Sequence, residues 1–257
     1  MINKMIKYFV LVGLIFETTI SNLFGQTKSI QPDRPRESES PFMVATNYTQ
    51  NENGFSFERE NTAKKSYKYP SALWRYGLSK GFELRLITAY QSEKDSNIIE
   101  TGFIPLTIGF KVSICPKKGI IPATSFIGHI KTSMIGSNKF TTDNPAPSFR
   151  FSMQHTLSKK ISFGYNFGAE WDGETPEATY ICTLATTISV TKKMKNFLEF
   201  YGFLPQKEIG RHGLDGGLTY LLNNNFMGDL SAGIGLNQNA AQNYLSVGFS
   251  YRFKTKA

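Results

Sequence analysis

The chain has 257 residues, a formal net charge of +9 at pH 7 and two cysteines. This length suits one all-β domain, since such domains often exceed about 200 residues undivided. A basic excess can indicate nucleic-acid binding, but here the lysines gather at predicted turns, such as Lys117-Lys118 and Lys159-Lys160. They form no single stripe with interleaved aromatic residues, so the composition argues against a nucleic-acid partner.

Residues 1–25 are typical of a secretory signal peptide. Lys4 and Lys7 give a positive start, Tyr8 to Phe16 is a short apolar run, and Gly25 is a small residue before Gln26. The apolar run is far shorter than the roughly 20 residues of a membrane-spanning helix. We therefore expect cleavage near Gln26 and export of the mature chain.

Residues 26–46 predict an extended segment, because they are polar and interrupted by prolines that cannot join a sheet interior. Two interpretations remain open for this segment. It folds into the barrel as a plug, or it hangs free in the periplasm. The charged residues of the plug interpretation are Asp33, Arg34, Arg36 and Glu37.

Residues 47–257 predict a β-barrel. In Ile161 to Trp171, alternate residues are apolar or aromatic on one face and small or polar on the other. About twelve segments of this kind recur, which predicts an all-β fold: a transmembrane up-and-down antiparallel barrel with apolar residues facing lipid. Short turns would face the periplasm, and longer loops such as Ser92–Thr101 would face outside.

Several short motifs stand out along the chain: Pro32-Asp33-Arg34-Pro35, Glu37-Ser38-Glu39-Ser40-Pro41, Gln50, Glu52, Gly54, Arg75-Tyr76-Gly77-Leu78, Glu83-Leu84-Arg85 and the later Asp215-Gly216-Gly217-Leu218. These motifs resemble those of the MetA-pathway of phenol degradation family of outer-membrane β-barrel proteins. That family has a DRP…TESP opening, a QxExG first strand and an RYGL…ELR hairpin. The resemblance implies a transporter-like, porin-like barrel linked to the passage of aromatic or hydrophobic compounds. One departure is that Phe253 is followed by Lys254 to Ala257, whereas such barrels usually end on an aromatic residue.

Strand parity places a mixed set of charges in the lumen. Ionised basic side chains facing lipid would cost about 2–4 kcal/mol each at the midplane, which favours the inward position. The set lines a substrate path, or it braces a narrow lumen as a salt-bridge network. Its members are Glu52, Arg75, Glu83, Arg85, Lys111, Arg150, Glu170, Glu199, Asp215, Asp229 and Arg252.

The sequence offers no catalytic or metal-binding motif. Its histidines, His129, His155 and His212, fall on different predicted strands and in no metal-ligand spacing. Only His129 points inward by parity. We expect no enzyme activity, no metal and no cofactor, although a hydrolase triad assembled in space stays an alternative.

These observations predict an exported protein of the outer membrane of a Gram-negative bacterium. The primary hypothesis is a channel or transporter for small, hydrophobic or aromatic molecules. The alternatives are a structural or interaction barrel with a closed lumen, and a soluble exported binder with the apolar face inside. The expected partners are outer-membrane lipid and lipopolysaccharide, the barrel-assembly machinery and a small-molecule substrate.

Overall fold

The computed structural model describes residues 29–255, so the predicted signal peptide lies outside the described residues. Twelve antiparallel strands follow one another around a closed barrel, and β1 pairs with β12 to close it. The strands are β1 (Tyr48–Arg59), β2 (Lys64–Ser79), β3 (Phe82–Asp95), β4 (Ile98–Cys115), β5 (Ala123–Lys131), β6 (Ala146–Thr156), β7 (Ile161–Glu170), β8 (Thr179–Ser189), β9 (Met194–Pro205), β10 (Arg211–Asn223), β11 (Phe226–Gly235) and β12 (Asn243–Lys254).

The predicted fold class is confirmed: the barrel is up-and-down, antiparallel and twelve-stranded. The prediction of a loop at Ser92–Thr101 is wrong. It forms the ends of β3 and β4, which pair from Ser92 and Thr101 to Asp95 and Ile98 around a short turn at Ser96. Polar residues fill much of this hairpin, so the apolar alternation that marks the other strands is weak there.

Burial in this barrel is reversed relative to a soluble domain. On β7, Phe167 is 48% exposed while its neighbour Asn166 is fully buried; on β9, Leu198 is 62% exposed while Glu199 is buried. The apolar face is thus outside and the polar face inside, as a lipid-embedded barrel requires. This excludes the soluble binder, whose apolar face would have to point inward.

The two ends of the barrel differ. We call the end with the tight β2–β3 and β10–β11 connections the turn end, and the end with the long β5–β6 and β7–β8 connections the loop end. Both cysteines, Cys115 and Cys182, are free. In the part of the chain that the structure describes, no helix is long and apolar enough to cross a membrane.

Candidate functional site

Residues Ser29–Thr46, which we call the inner segment, run inside the barrel. The segment enters at the turn end, where the Ile30 amide donates to the Asn224 carbonyl at 2.8 Å. It reaches β7, β8 and β9 near Ser38 and returns to the turn end, where the Asn47 amide donates to the Gly77 carbonyl at 2.8 Å. Asp33, Ser38 and Ser40 are buried along this path.

The wall of β1 to β4 carries a compact charged cluster beside the inner segment. Strand pairing sets Arg75 opposite Arg85, and Glu83 opposite Lys111. Arg75 and Glu83 form a bidentate pair, with Nε–Oε1 and Nη2–Oε2 distances of 2.7 and 2.9 Å. Arg75 also donates to Glu52 at 2.8 Å. The carboxylates of Glu83 and Glu52 thus share the guanidinium of Arg75, whose planar set of N–H donors can bind two carboxylates at once.

Asp33 of the inner segment completes this cluster. Its carboxylate lies 2.8 Å from the Lys111 ammonium, 2.9 Å from Arg85 and 3.4 Å from Arg75. Glu39 adds a second contact, 2.7 Å from Arg85. Among the described residues, the wall itself sets only Glu52 and Glu83 against its three cations, so carboxylates of the inner segment supply the missing negative charge.

The wall cations keep the Asp33 and Glu39 carboxyls of the inner segment ionised. Burial acts against the charged form of Asp33, but Arg75, Lys111 and Arg85 together hold the pKa of this carboxyl well below its usual value. Burial likewise opposes ionisation of Glu39, but Arg85 together with Lys111 and His129 outweighs it, so the pKa of Glu39 is lowered. Both groups are therefore charged when the segment is docked.

Side chains of the wall also satisfy the backbone of the inner segment. Glu52 accepts from the Asp33 and Arg34 amides at 2.9 and 3.1 Å. Glu199 accepts from the next turn of the segment, the Glu37 and Ser38 amides, at 2.8 and 2.7 Å. Because the segment pairs with the sheet only through the bridge of Thr46 to Gly77, these wall acceptors replace the ladder partners that a strand would have.

Arg34 reaches the neighbouring part of the wall, where β11 and β12 follow on from β1. Its guanidinium lies 3.1 Å from Asp229 of β11 and donates to Ser246 of β12 at 2.9 Å. It rests on Gly54 and Gly248, where an added Cβ would overlap its side chain. These glycines leave the room that a guanidinium against the barrel wall needs.

The remaining predicted lumen residues are more dispersed. Arg150 donates to the Glu37 carbonyl at 2.8 Å, and Glu170 lines a cavity toward the loop end. Asp215 is buried and accepts from the Tyr244 hydroxyl at 2.6 Å. Arg252 lies at the turn end, donating to Asn225 at 2.9 Å.

Uncharged wall residues that the sequence analysis overlooked contact the same segment. Asn166 accepts from the Glu39 amide at 2.7 Å and donates to its carbonyl at 3.0 Å. Ser152 also donates to that carbonyl, and Thr183 lies 2.6 Å from the Ser38 hydroxyl. Strand parity puts these positions on the inward face, so a search that included neutral polar residues would have found them.

Cavities surround the inner segment on its loop-end side. The outer cavity, about 770 Å³, is lined by Glu39, Glu170 and Arg211 and reaches the loop residue Lys207. The aromatic cavity, about 410 Å³, lies against the segment and β9, β10 and β12; its ring-bearing lining residues are Tyr201, Phe203 and Tyr244. The two cavities share Glu170 and Arg211.

Smaller cavities continue toward the turn end. The narrow cavity, about 110 Å³, shares Arg34, Pro35 and Arg36 with the aromatic cavity. The mouth cavity, about 370 Å³, shares Lys195 and Thr219 with the narrow one. The four cavities therefore adjoin one another along the inner segment, between the loop end and the turn end.

A closed twelve-stranded barrel with a polar interior and an apolar exterior is an outer-membrane type of β-barrel. Residues 32–253 match the family model described as "Putative MetA-pathway of phenol degradation", and the chain belongs to this family. The expected family membership is thereby confirmed. No curated protein matches the sequence.

Solved structures show the same fold at low sequence identity. The COG4313 outer membrane channel from Pseudomonas putida F1 aligns with a TM-score of 0.65 at 11% identity, over 85% of this chain and 99% of that one. The KdgM porin aligns at 0.52 and 12% identity, over 79% and 99%. The NanC porin aligns at 0.52 and 10% identity, over 79% and 98%.

Proposed function

We propose that this protein is an outer-membrane channel for small molecules, and that the inner segment acts as a plug that narrows its lumen. The observation that carries the proposal is the series of cavities that pass the segment between the two ends of the barrel. Consecutive cavities share lining residues and so lie next to one another, and a small solute would pass between them when these shared side chains move. The charged wall residues hold the segment and flank this route.

Cavity size limits what passes while the segment is docked. A water molecule needs about 10–15 Å³ by the same measure, so the narrow cavity, at about 110 Å³, admits only a small solute. Arg34, Pro35 and Arg36 form the constriction, because they line both the narrow cavity and the adjoining aromatic cavity. Movement of the segment would widen the route at this point.

The chemistry of the aromatic cavity favours a small aromatic solute. Tyr201, Phe203 and Tyr244 place three aromatic rings in the lining of one cavity of about 410 Å³, beside charged residues such as Glu58 and Arg211. Aromatic rings pack favourably against one another in offset or edge-to-face arrangements. The description of the family, which refers to phenol degradation, agrees with a substrate of this class.

The membrane placement follows from the outer face. Exposed apolar residues such as Phe103, Phe167, Leu198 and Val247 would contact outer-membrane lipid and lipopolysaccharide. Residues 1–25 would direct export as a cleaved signal peptide, and the barrel-assembly machinery would insert the barrel. The turn end then faces the periplasm, since the short connections of such barrels lie there.

Conductance in planar bilayers tests this proposal. The full mature chain is compared with a variant lacking residues 29–40, and the gel mobility of unheated and heated samples verifies that both barrels are folded. We expect small steady currents from the full chain and larger ones from the variant. Equal currents would overturn the plug, and two folded barrels that pass neither ions nor small solutes would favour the closed structural barrel.

A further inference from the structure

The balance of positive and negative residues in the cavity lining differs between the two ends of the barrel. Carboxylates such as Glu170, Asp172 and Glu177 line the outer cavity together with basic residues. The narrow and mouth cavities are different. Their lining includes Arg36, Lys193 and Lys195, and no carboxylate among the described residues.

Among the described residues, none of these three cations has a carboxylate in ion-pair contact. Arg34 is neutralised by Asp229 at 3.1 Å, whereas Arg36 donates to the Thr187 hydroxyl at 2.8 Å and lies 5.8 Å from the centroid of the Phe197 ring. Within residues 29–255, neither Arg36 nor Lys195 has a carboxylate within 4.0 Å. In this part of the described structure, Arg36 and Lys195 therefore have no direct ion-pair partner, and Glu199 acts on Arg36 only from a greater distance.

The strands hold these groups around one cavity. Lys195 pairs across the sheet with Ser189 of β8 and Thr219 of β10, and it shares the inward face of β9 with Phe197. Arg36 reaches the same cavity from the inner segment. Hydroxyl groups of Thr187 and Thr219 line it as well, which adds neutral donors beside the two cations.

We propose that Arg36 and Lys195 form a binding site in the narrow cavity for the oxyanion group of a small solute, a carboxylate or a phosphate. A guanidinium and an ammonium with adjacent hydroxyls supply the charge-assisted donors that such a group accepts. A volume of about 110 Å³ holds an oxyanion but excludes a bulky acid. The inference deepens the proposed function, on which it rests, by giving the route an anion preference at its constriction.

Calorimetric titration of the detergent-purified full chain tests the site without requiring conduction. Inorganic phosphate and benzoate are the probes, which separates a free oxyanion from the carboxylate of an aromatic acid. We expect saturable binding of at least one probe at one site per chain. Loss of one charged donor in Arg36→Gln or Lys195→Gln should weaken it by about tenfold or more.

Lys159→Gln is the matched control, since Lys159 is an exposed lysine of the β6–β7 turn outside these cavities. The Lys159→Gln variant should bind phosphate and benzoate as tightly as the unchanged protein does. A folded protein that binds neither probe, or Arg36→Gln and Lys195→Gln variants that bind as tightly as the control, would overturn the site. Saturable binding in a barrel that passes no current would retain the site and reject the channel.

Discussion

Lys111 of β4 donates to both carboxylate oxygens of Asp33, at 3.1 and 2.8 Å. The two side chains are 0% and 5% exposed, so water screens this pair very little. Arg85 and Arg75 lie beside the same carboxylate. The inner segment is therefore held where the barrel wall has more cations than carboxylates, and its docking depends on this charge balance.

Replacing Asp33 by asparagine should release the inner segment. Removing one partner of a buried ion pair costs about 3–5 kcal/mol, because Lys111 and Arg85 then stay buried without full compensation. We expect Asp33→Asn to raise single-channel conductance toward that of the variant lacking residues 29–40. Trypsin should also cleave after Arg36, which the docked segment keeps half-buried.

Asp143→Asn is the control for this change, since Asp143 lies in the exposed β5–β6 loop. It should leave both conductance and trypsin resistance unchanged. If Asp33→Asn behaves like this control in a folded barrel, the charge of Asp33 does not hold the segment.

The segment should stay docked in mild acid. The Arg75, Lys111 and Arg85 cations keep the pKa of Asp33 well below 3.8 despite its burial, and the pKa of Glu39 lies below 4.5. A carboxyl whose pKa is lowered by docking stabilises the docked segment fully at any pH above its ordinary pKa. This stabilisation is lost only as the pH falls through the lowered pKa. We expect constant conductance from about pH 7 to about pH 5 and an increase only below about pH 3.8.

Recording the same bilayers over this range checks the sign of the effect. Asp33→Asn should lack most of the low-pH increase, because its segment is already released. A rise of conductance between about pH 7 and about pH 5 that is present in the unchanged protein and absent from Asp33→Asn would contradict a lowered pKa of Asp33.

A reversible cross-link should hold the segment in place. The Ser38 and Thr183 hydroxyl oxygens lie 2.6 Å apart, which brings their side chains close enough for a disulfide between substituted cysteines. In a Cys115→Ala/Cys182→Ala background, Ser38→Cys with Thr183→Cys should form the bond on oxidation. Combined with Asp33→Asn, the oxidised protein should conduct like the unchanged one, and reduction should restore the larger current.

Ser38→Cys with Thr101→Cys serves as the unpaired control, because Thr101 is exposed in the loop-end half of β4. Its current should not respond to oxidation or reduction. A Ser38–Thr183 disulfide that forms but leaves the Asp33→Asn current high would show that the segment does not set conductance.

The barrel could be predicted from the sequence because the pleat imposes a period of two on every membrane-facing strand. Phe167 and Asn166 illustrate it, since one faces out and the other in. The β3–β4 hairpin around Ser96 was missed because its polar residues carry no such contrast. The same parity assigned Arg75, Glu83 and Arg85 to the inward face.

The route of the inner segment could not be predicted in this way. Its backbone bonds go to side chains far away in sequence: Asp33 to Glu52, and Ser38 to Glu199. No periodicity relates such positions. Proline and charge content indicated only that the segment is no strand, and the choice between a docked and a free segment needed three-dimensional structure.

Gly77 sets how closely the inner segment approaches β2. A Cβ at this position would overlap the carbonyl oxygens of Ala45 and Val44, which are backbone atoms with little room to move. Gly77→Ala should therefore destabilise the barrel by about 1–3 kcal/mol through overpacking. Urea unfolding in detergent micelles measures this change.

Gly228→Ala provides the comparison, because the nearest atoms to its added Cβ lie at 3.9 Å. It should unfold at nearly the same urea concentration as the unchanged protein. Equal midpoints for both variants would show that the junction between the segment and β1 tolerates displacement.

The outer face offers a test of membrane placement that is independent of the lumen. Leu198 lies midway along β9, paired with Gly216 and Thr186, and is 62% exposed on the apolar side. An arginine near the midplane of a bilayer costs about 2–4 kcal/mol, and one near the interface costs much less. Leu198→Arg should therefore lower the free energy of unfolding in phosphatidylcholine liposomes by that amount, while Ile209→Arg in the exposed β9–β10 loop should change it little. Equal small effects at both positions would mean that this face of β9 does not contact lipid.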